Sequence, residues 1–123
     1  MAGNIHGGAI MRLCDEVAAI AAIRHSGHRV VTAAIDRMTF RSPVLVSELV
    51  TLSASVNAAW RTSMEVGVRV EKENVWTGER VHTSTAYLTM VALDAEGQPA
   101  AIPALTSETS DPSSAVDFAA GWF

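Results

Sequence analysis

Val50, Leu52, Ala54, Val56 and Ala58 occupy every second position, with Thr51, Ser53, Ser55 and Asn57 between them. Met64, Val66, Val68 and Val70 alternate in the same way with Glu65, Gly67, Arg69 and Glu71. Successive side chains of an extended chain point to opposite faces, so each run is a strand with one apolar and one polar face. An apolar sheet face has to be covered by another layer. The segment from Gly8 to His25 supplies that layer. It has no proline and little β-branching, and it is rich in Ala, Ile, Leu and Met, a strongly helix-forming composition. Its eighteen positions would span roughly 27 Å. Gly7 and Gly8 open it, and Gly27 in "HSGH" offers the left-handed residue that commonly follows a last turn. Arg24 and His25 suit the negative end of the helix dipole.

The remaining strands are read in the same way. "VVTAAIDRMTF" (Val30 to Phe40) is rich in β-branched residues, and Pro43 in the following "SPVLVSE" argues for an edge or a break. "NVWTGER" places a turn at Thr77-Gly78 and hence a hairpin. The next strand runs from about Glu79 to Leu93, and "DAEGQP" closes it with another turn. Four or five antiparallel strands follow one helix, and three of them reach well past the common five or six residues. The economical arrangement is an α+β fold in which a long curved sheet wraps the helix and buries it on most sides. The folded domain covers 1–105. The tail, 106–123, loses the alternation and gains Ser, Thr, Asp and Pro. Its first half reads as loop, and "AVDFAAGWF" as a short helix docked by Phe118 and Trp122, or as loose chain.

A length of 123 residues indicates one domain, and 49% hydrophobic against 18% charged residues is enough for a packed core. The net charge of -4 and the absence of a basic stripe disfavour nucleic-acid binding. The basic residues are all Arg except Lys72. Arg holds phosphate in a bidentate fork, so a local phosphate site is permitted on an acidic chain, although coding bias would give the same skew. Cys14 is the sole cysteine, which excludes an internal disulfide and a thiolate metal cluster and fits a reducing, cytoplasmic setting. "MAGNIHGG" has neither the basic nor the apolar region of a signal peptide. Arg12, Asp15, Glu16 and Arg24 interrupt the helix too often for a membrane span.

Asp15 and Glu16 stand side by side in the middle of this apolar helix. Glu16 follows Arg12 by four positions and can pair with it on one face. Asp15 has Met11, Ala18, Ala19 and Ala22 as helical neighbours, and small alanines leave room for a ligand. Two readings stand on the residues alone: a solvated acidic pair at the helix edge, or a working carboxylate.

The pieces "GNIHGG", "MRLCDEVAAIAAIRH", "VVTAAIDRMTFRSPV", "RTSMEVGVRVEKENVWTGER" and "AYLTMVALDAEGQP", in this order and spacing, resemble the hotdog-fold acyl-CoA thioesterases over Gly3 to Leu105. The likeness is greatest to bacterial acyl-CoA hydrolases and the tandem-domain cytosolic enzymes of animals. It implies hydrolysis of acyl-CoA to a carboxylic acid and CoA, with no cofactor and no metal. The family's catalytic carboxylate is an Asp on the central helix, matched by Asp15, acting as general base or nucleophile; Glu16 is the second-tier acid. Backbone amides at His6, Gly7 and Gly8 would polarise the thioester carbonyl. Arg61, Thr62 and Ser63 match a region that contacts CoA, with Arg41 and Ser42 as further candidates, and the Thr32 hydroxyl could position water or substrate. The resemblance also implies a homodimer with sheets joined edge to edge, or a trimer of dimers, with active sites at the dimer interface.

Thioester hydrolysis needs a nucleophile and a group that holds the developing oxyanion. Helix amides supply the second, and glycines let substrate approach them closely. A carboxylate in an apolar setting is more basic than in water. The chain departs from the family pattern upstream. Members have a further strand and an Asn-bearing segment before "GNIHGG", whereas this sequence starts at Met1-Ala2-Gly3 and Asn4 falls later in the motif. Ser47-Glu48 replaces a usual Gly-Asp. The alternative function is a non-catalytic acyl-CoA-binding or sensing protein on the same fold. A hotdog dehydratase is the weaker third reading, since no His precedes His25 in the helix.

Overall fold

A computed structural model of the chain describes residues 7–40, 48–105 and 116–122, with side chains over 8–36 and 48–105. Helix α1 (Gly7–Ser26) comes first, followed by strands β1 (Arg29–Phe40), β2 (Leu49–Ala59), β3 (Ser63–Glu73), β4 (Arg80–Leu93) and β5 (Val116–Trp122). They form one sheet in the order β1-β4-β3-β2-β5, every neighbouring pair antiparallel.

The expected punctuation is present. Gly27 has φ +73° and its N–H donates to the Ile23 carbonyl at 2.8 Å, closing α1 with a left-handed residue. Gly78, with φ +78°, completes the β3–β4 hairpin, and the Asn74 Oδ1 accepts from the Trp76 and Thr77 amides to shape that turn. After β4, Asp94 Oδ1 accepts from the Glu96 and Gln98 amides, and Gly97 takes φ +81°.

The core is the meeting of two periodicities. Ile10, Cys14, Val17, Ala18, Ala21 and Ala22 form the buried face of α1. They meet the inward alternates of β2, β3 and β4, among them Leu52, Val66, Val68, Leu88 and Met90, all fully buried. One alternate departs from the simple pattern. The β2–β3 register shifts between Val56 and Ala58, so Ala59 and not Ala58 packs against the core. A bulge adds one residue and flips every side chain beyond it.

Among the described residues the sheet covers one side of the helix and leaves the opposite face uncovered. Arg12, Glu16, Ile20 and Ile23 lie on an exposed face, with Ile20 40% and Ile23 45% accessible. The reason lies in the sheet order: β1 is an edge strand, and Val31 through Asp36 are exposed along it.

The C-terminal segment is also different from the helix expected of it. Val116–Trp122 is a strand paired with β2, with Ala54 opposite Val116 and Thr51 opposite Ala119. β2 would otherwise present unpaired N–H and C=O groups along its outer side. Val116, Phe118, Ala120 and Trp122 stand at alternate positions, a short period-two signal that the Ser-rich approach to it obscures. The expected loop in the first half of the tail and the break at Pro43 lie outside the described residues.

Candidate active site

Asp15 sits half-buried on α1. The Thr32 hydroxyl of β1 donates a hydrogen bond to Asp15 Oδ1. Thr32 faces the helix because it pairs with Met90, whose side chain is inward and fully buried. The strand then bulges between Thr32 and Ala34, and again between Ile35 and Arg37. Such bulges increase local twist and re-aim side chains. The first bulge comes directly after Thr32. At the second, Asp36 is the extra residue, and its Oδ2 accepts from the Thr89 hydroxyl at 3.1 Å.

Thr32 Oγ1 also lies 3.4 Å from the Met90 sulfur. A hydroxyl has one proton to give, and a carboxylate is a far better acceptor than a thioether. The proton therefore goes to Asp15, and Met90 acts as the floor beneath Thr32. The Cys14 thiol is buried next to this carboxylate. Burial, and secondarily the charge of Asp15, push its pKa up to about 12, so it stays a neutral thiol and is no nucleophile.

Gly8 is exposed at the start of α1, and a Cβ placed there would meet nothing within 4 Å. Among the described residues nothing crowds the helix entrance at that point. Gly8 and Asp15 share one face, but seven positions put them roughly 10 Å apart along the axis. A single chain does not bring that amide and that carboxylate to one carbonyl. Of Gly7 the structure describes only the backbone, as the first residue of α1, while His6 and Arg41 lie outside the described residues. Glu16 is exposed, and among the described residues no ion pair joins it to Arg12; the ion pairs there include Arg69–Glu71, Arg80–Glu71, Arg80–Glu73 and Lys72–Glu48.

Arg61, Thr62 and Ser63 form the β2–β3 turn, closed by the Trp60 amide donating to the Ser63 carbonyl at 2.8 Å. Register locates it. Ser63 and Val31 both pair with Val91, one row along from Met64, Met90 and Thr32. The turn therefore lies at the Thr32 end of the sheet, two strand spacings or roughly 10 Å across. The sequence places His25 in the last turn of α1, where it suits the helix dipole. Its Nε2 also lies 2.8 Å from the Pro103 carbonyl, 78 positions away in the chain. No pattern in the sequence marks that contact. Among the described residues no group of three or more His, Cys, Asp or Glu could hold a metal ion.

The model of the Thioesterase superfamily matches residues 2–77. The chain belongs to this superfamily. The acyl-CoA thioester hydrolase YkhA of Bacillus subtilis is 39% identical over 108 residues, covering 88% of this chain and 63% of that protein. The cytosolic acyl coenzyme A thioester hydrolase of Rattus norvegicus is 36% identical over 111 residues, covering 89% of this chain and 29% of that protein. Among solved structures, an apo-hexameric acyl-CoA thioesterase superposes with a TM-score of 0.83 at 43% identity, covering 87% of this chain and 69% of that one. The acyl-CoA hydrolase of Staphylococcus aureus, in complex with butyryl coenzyme A, coenzyme A and coenzyme A disulfide, gives 0.81 at 36% identity, over 85% and 63%. The likeness establishes the α+β hotdog fold for this thioesterase-superfamily chain. The chain spans less than two thirds of the length of these Bacillus and rat relatives. Among the described residues no helix is long and apolar enough to cross a membrane.

Proposed function

We propose that this chain hydrolyses acyl-CoA thioesters to a carboxylic acid and free CoA, with Asp15 as general base or nucleophile and Thr32 as the hydroxyl that orients it. The observation that carries the reading is the hydrogen bond from Thr32 to Asp15 across the helix–strand junction. It fixes one carboxylate oxygen and directs the other toward a bound water or thioester. The names of the relatives support the same chemistry. Structures of the Staphylococcus aureus acyl-CoA hydrolase include alanine mutants at an aspartate and at a threonine seventeen positions after it. Asp15 and Thr32 have that separation.

In the general-base route, water gives a proton to Asp15 as its oxygen bonds to the thioester carbon. The tetrahedral oxyanion collapses, the C–S bond breaks, and the CoA sulfur leaves and takes up a proton. In the nucleophilic route Asp15 Oδ2 bonds to the carbon first, the C–S bond breaks, the CoA thiolate leaves and takes up a proton, and water then cleaves the anhydride to the acid and the free Asp15 carboxylate. The amides of Gly7 and Gly8 face the oxyanion. The roughly 10 Å between Gly8 and Asp15 along one helix supports a site in which the amides of one subunit meet the carboxylate of another. The exposed β1 edge, with Val31 and Ile35 accessible, suits edge-to-edge pairing into a homodimer, and the hexameric neighbours support a trimer of dimers. Arg61, Thr62 and Ser63 receive the CoA, with Arg41 as a further cation for its phosphates and His6 beside the thioester. The cytosolic relative and the lone buried thiol support a cytoplasmic setting.

The test is release of free CoA from acyl-CoAs of several chain lengths, read with a thiol reagent, for the native chain, Asp15→Ala and Glu16→Ala. The expected result is turnover that Asp15→Ala abolishes and Glu16→Ala leaves in place. Binding of acyl-CoA without any release of CoA would overturn the enzymatic reading, and loss of turnover in Glu16→Ala alone would reverse the two acids.

A further inference from the structure

We infer that His25 is a positioning residue for substrate binding: from the end of α1 it latches the segment 100–105, which in turn fixes the backbone of the Arg61–Ser63 turn. The inference rests on the reading above in which that turn receives CoA.

His25 is only 9% exposed. Its Nε2 lies 2.8 Å from the Pro103 carbonyl, an acceptor only, so Nε2 donates its N–H to that oxygen. Nδ1 is buried, with no hydrogen-bond partner among the described residues. A histidine that merely suited the helix dipole would turn outward and let water satisfy both nitrogens. This ring instead gives up one partner to hold the other. Pro103 has no N–H, and the carbonyl that His25 takes is the only hydrogen-bonding group of its backbone.

From Pro103 the connection runs back through the backbone. The Ile102 amide donates to the Arg61 carbonyl at 3.0 Å, and the Ala100 amide to the Ala92 carbonyl at 2.9 Å. The Ala92 amide donates in turn to the Thr62 carbonyl at 2.9 Å. Ala100 and Ile102 pack on the core. The segment is thus a rail: its Ile102 amide grips the Arg61 carbonyl directly, its Ala100 amide reaches Thr62 only through Ala92 of β4, and its far end is tied down by His25. Arg61 itself is exposed, so the direction of its guanidinium depends on how firmly this backbone is held. Pre-ordering a phosphate-binding turn raises affinity by cutting the cost of ordering it on binding. His25 does not itself reach the reacting atoms. It lies ten positions beyond Asp15, roughly 15 Å along the helix, and the Asp15–Thr32 pair belongs to a separate set of bonds. Loosening the latch therefore weakens binding in ground state and transition state alike, which raises KM and leaves kcat unchanged.

The experiment uses the full chain and four variants. His25→Gln keeps an N–H donor near the Nε2 position; His25→Phe keeps the buried ring without the donor. Ile102→Pro removes the amide that grips Arg61, and Arg61→Ala removes the guanidinium. Each is assayed with an acyl-CoA and with the same acyl group on pantetheine, which lacks the nucleotide and its phosphates. The expected result is a KM for acyl-CoA raised roughly tenfold in His25→Phe with kcat unchanged, no change on acyl-pantetheine, and near-native values in His25→Gln. Ile102→Pro gives the same signature and serves in place of His25→Phe if that variant does not fold. A native KM in both latch variants while Arg61→Ala raises it overturns the inference and leaves the CoA reading of the turn standing. Raised KM in the latch variants with none in Arg61→Ala supports the latch and transfers the contact to Thr62 and Ser63. Native KM in all of them removes both readings. A fall in kcat, or equal losses on acyl-pantetheine, makes His25 a structural residue and overturns the inference.

Discussion

The hydroxyl of Thr32 donates to the carboxylate of Asp15 and so joins the middle of α1 to the start of the edge strand β1. One partner carries the proposed chemistry and the other only aims it, so their losses should be unequal and not additive. Asp15→Ala is expected to lower kcat by about 10²- to 10⁴-fold, the usual contribution of a positioned base. Thr32→Val keeps the shape and removes the donor, and should cost roughly tenfold. The double variant should be no worse than Asp15→Ala, because residues that act as a unit are lost together. Glu16→Ala, on the exposed face, should stay within about twofold. Steady-state rates of CoA release on the native chain and these four variants measure all of this.

Cys14 should be silent to thiol reagents in the folded protein. Its thiol is buried, and desolvation first and Asp15 second raise its pKa from 9.0 to about 12. Titration with a disulfide reagent at pH 8 is expected to label no cysteine in the native chain and one after unfolding. The linkage sign follows from the same shift. Below pH 9 the thiol is protonated in both states and its contribution is constant. From about pH 9 toward 12 the unfolded chain loses this proton and the folded chain keeps it, so stability falls as pH rises. Urea midpoints at pH 8 and pH 10.5 should drop more in the native sequence than in Cys14→Ala.

Most of the fold is legible in the sequence because period two and helix composition are local signals. Val50 through Val56 and Met64 through Val70 alternate as read, and Gly27, Gly78 and Gly97 turn where expected. What is not legible depends on packing between distant segments. The bulge after Val56, which exchanges Ala58 for Ala59, has no mark in composition. The strand Val116–Trp122 gains its partners only from the outer side of β2. At the site, Asp15 stood out as an acid in an apolar helix, whereas the choice of Thr32 as its partner depends on the β1–β4 register that sets Thr32 opposite the inward Met90. The link from His25 to Pro103 joins residues whose spacing carries no pattern at all.

Leu88 and Val68 separate two kinds of core error. Leu88 is fully buried opposite Val66, so Leu88→Ala removes apolar contacts and leaves a cavity. A loss of about 2–5 kcal/mol is expected. Val68 pairs with Ala54 on one side and Ala86 on the other, all at 2% exposure or less. That row is fully buried between small residues, and Ala86→Leu should overpack it at a cost of about 1–3 kcal/mol. Urea unfolding with unchanged slope for both variants would confirm that each acts on the native state; a neutral Ala86→Leu would mean that the row holds unfilled space.

Gly67 is a glycine by crowding and not by backbone conformation. Its φ lies outside the left-handed region, but a Cβ there would meet Asn57 Nδ2 at 2.5 Å, with Tyr87 Cε1 at an ordinary 3.6 Å. Asn57 is exposed, and its amide oxygen accepts from the Ser55 hydroxyl at 3.3 Å. The obstacle is therefore the end of a movable side chain. Replacing a strand glycine by alanine reduces the entropy lost on folding, a gain of roughly 0.5–1 kcal/mol where nothing intrudes. In the native background that gain is offset by displacing the Asn57 amide from its hydrogen bond, and Gly67→Ala should change stability by less than about 0.5 kcal/mol. In an Asn57→Ala background the clash is gone, and the same substitution should stabilise by the full ~0.5–1 kcal/mol. The difference between the two backgrounds is the coupling of the pair, read from denaturant midpoints of the four proteins in the cycle. Equal effects of Gly67→Ala in both backgrounds would show that Asn57 does not crowd this position.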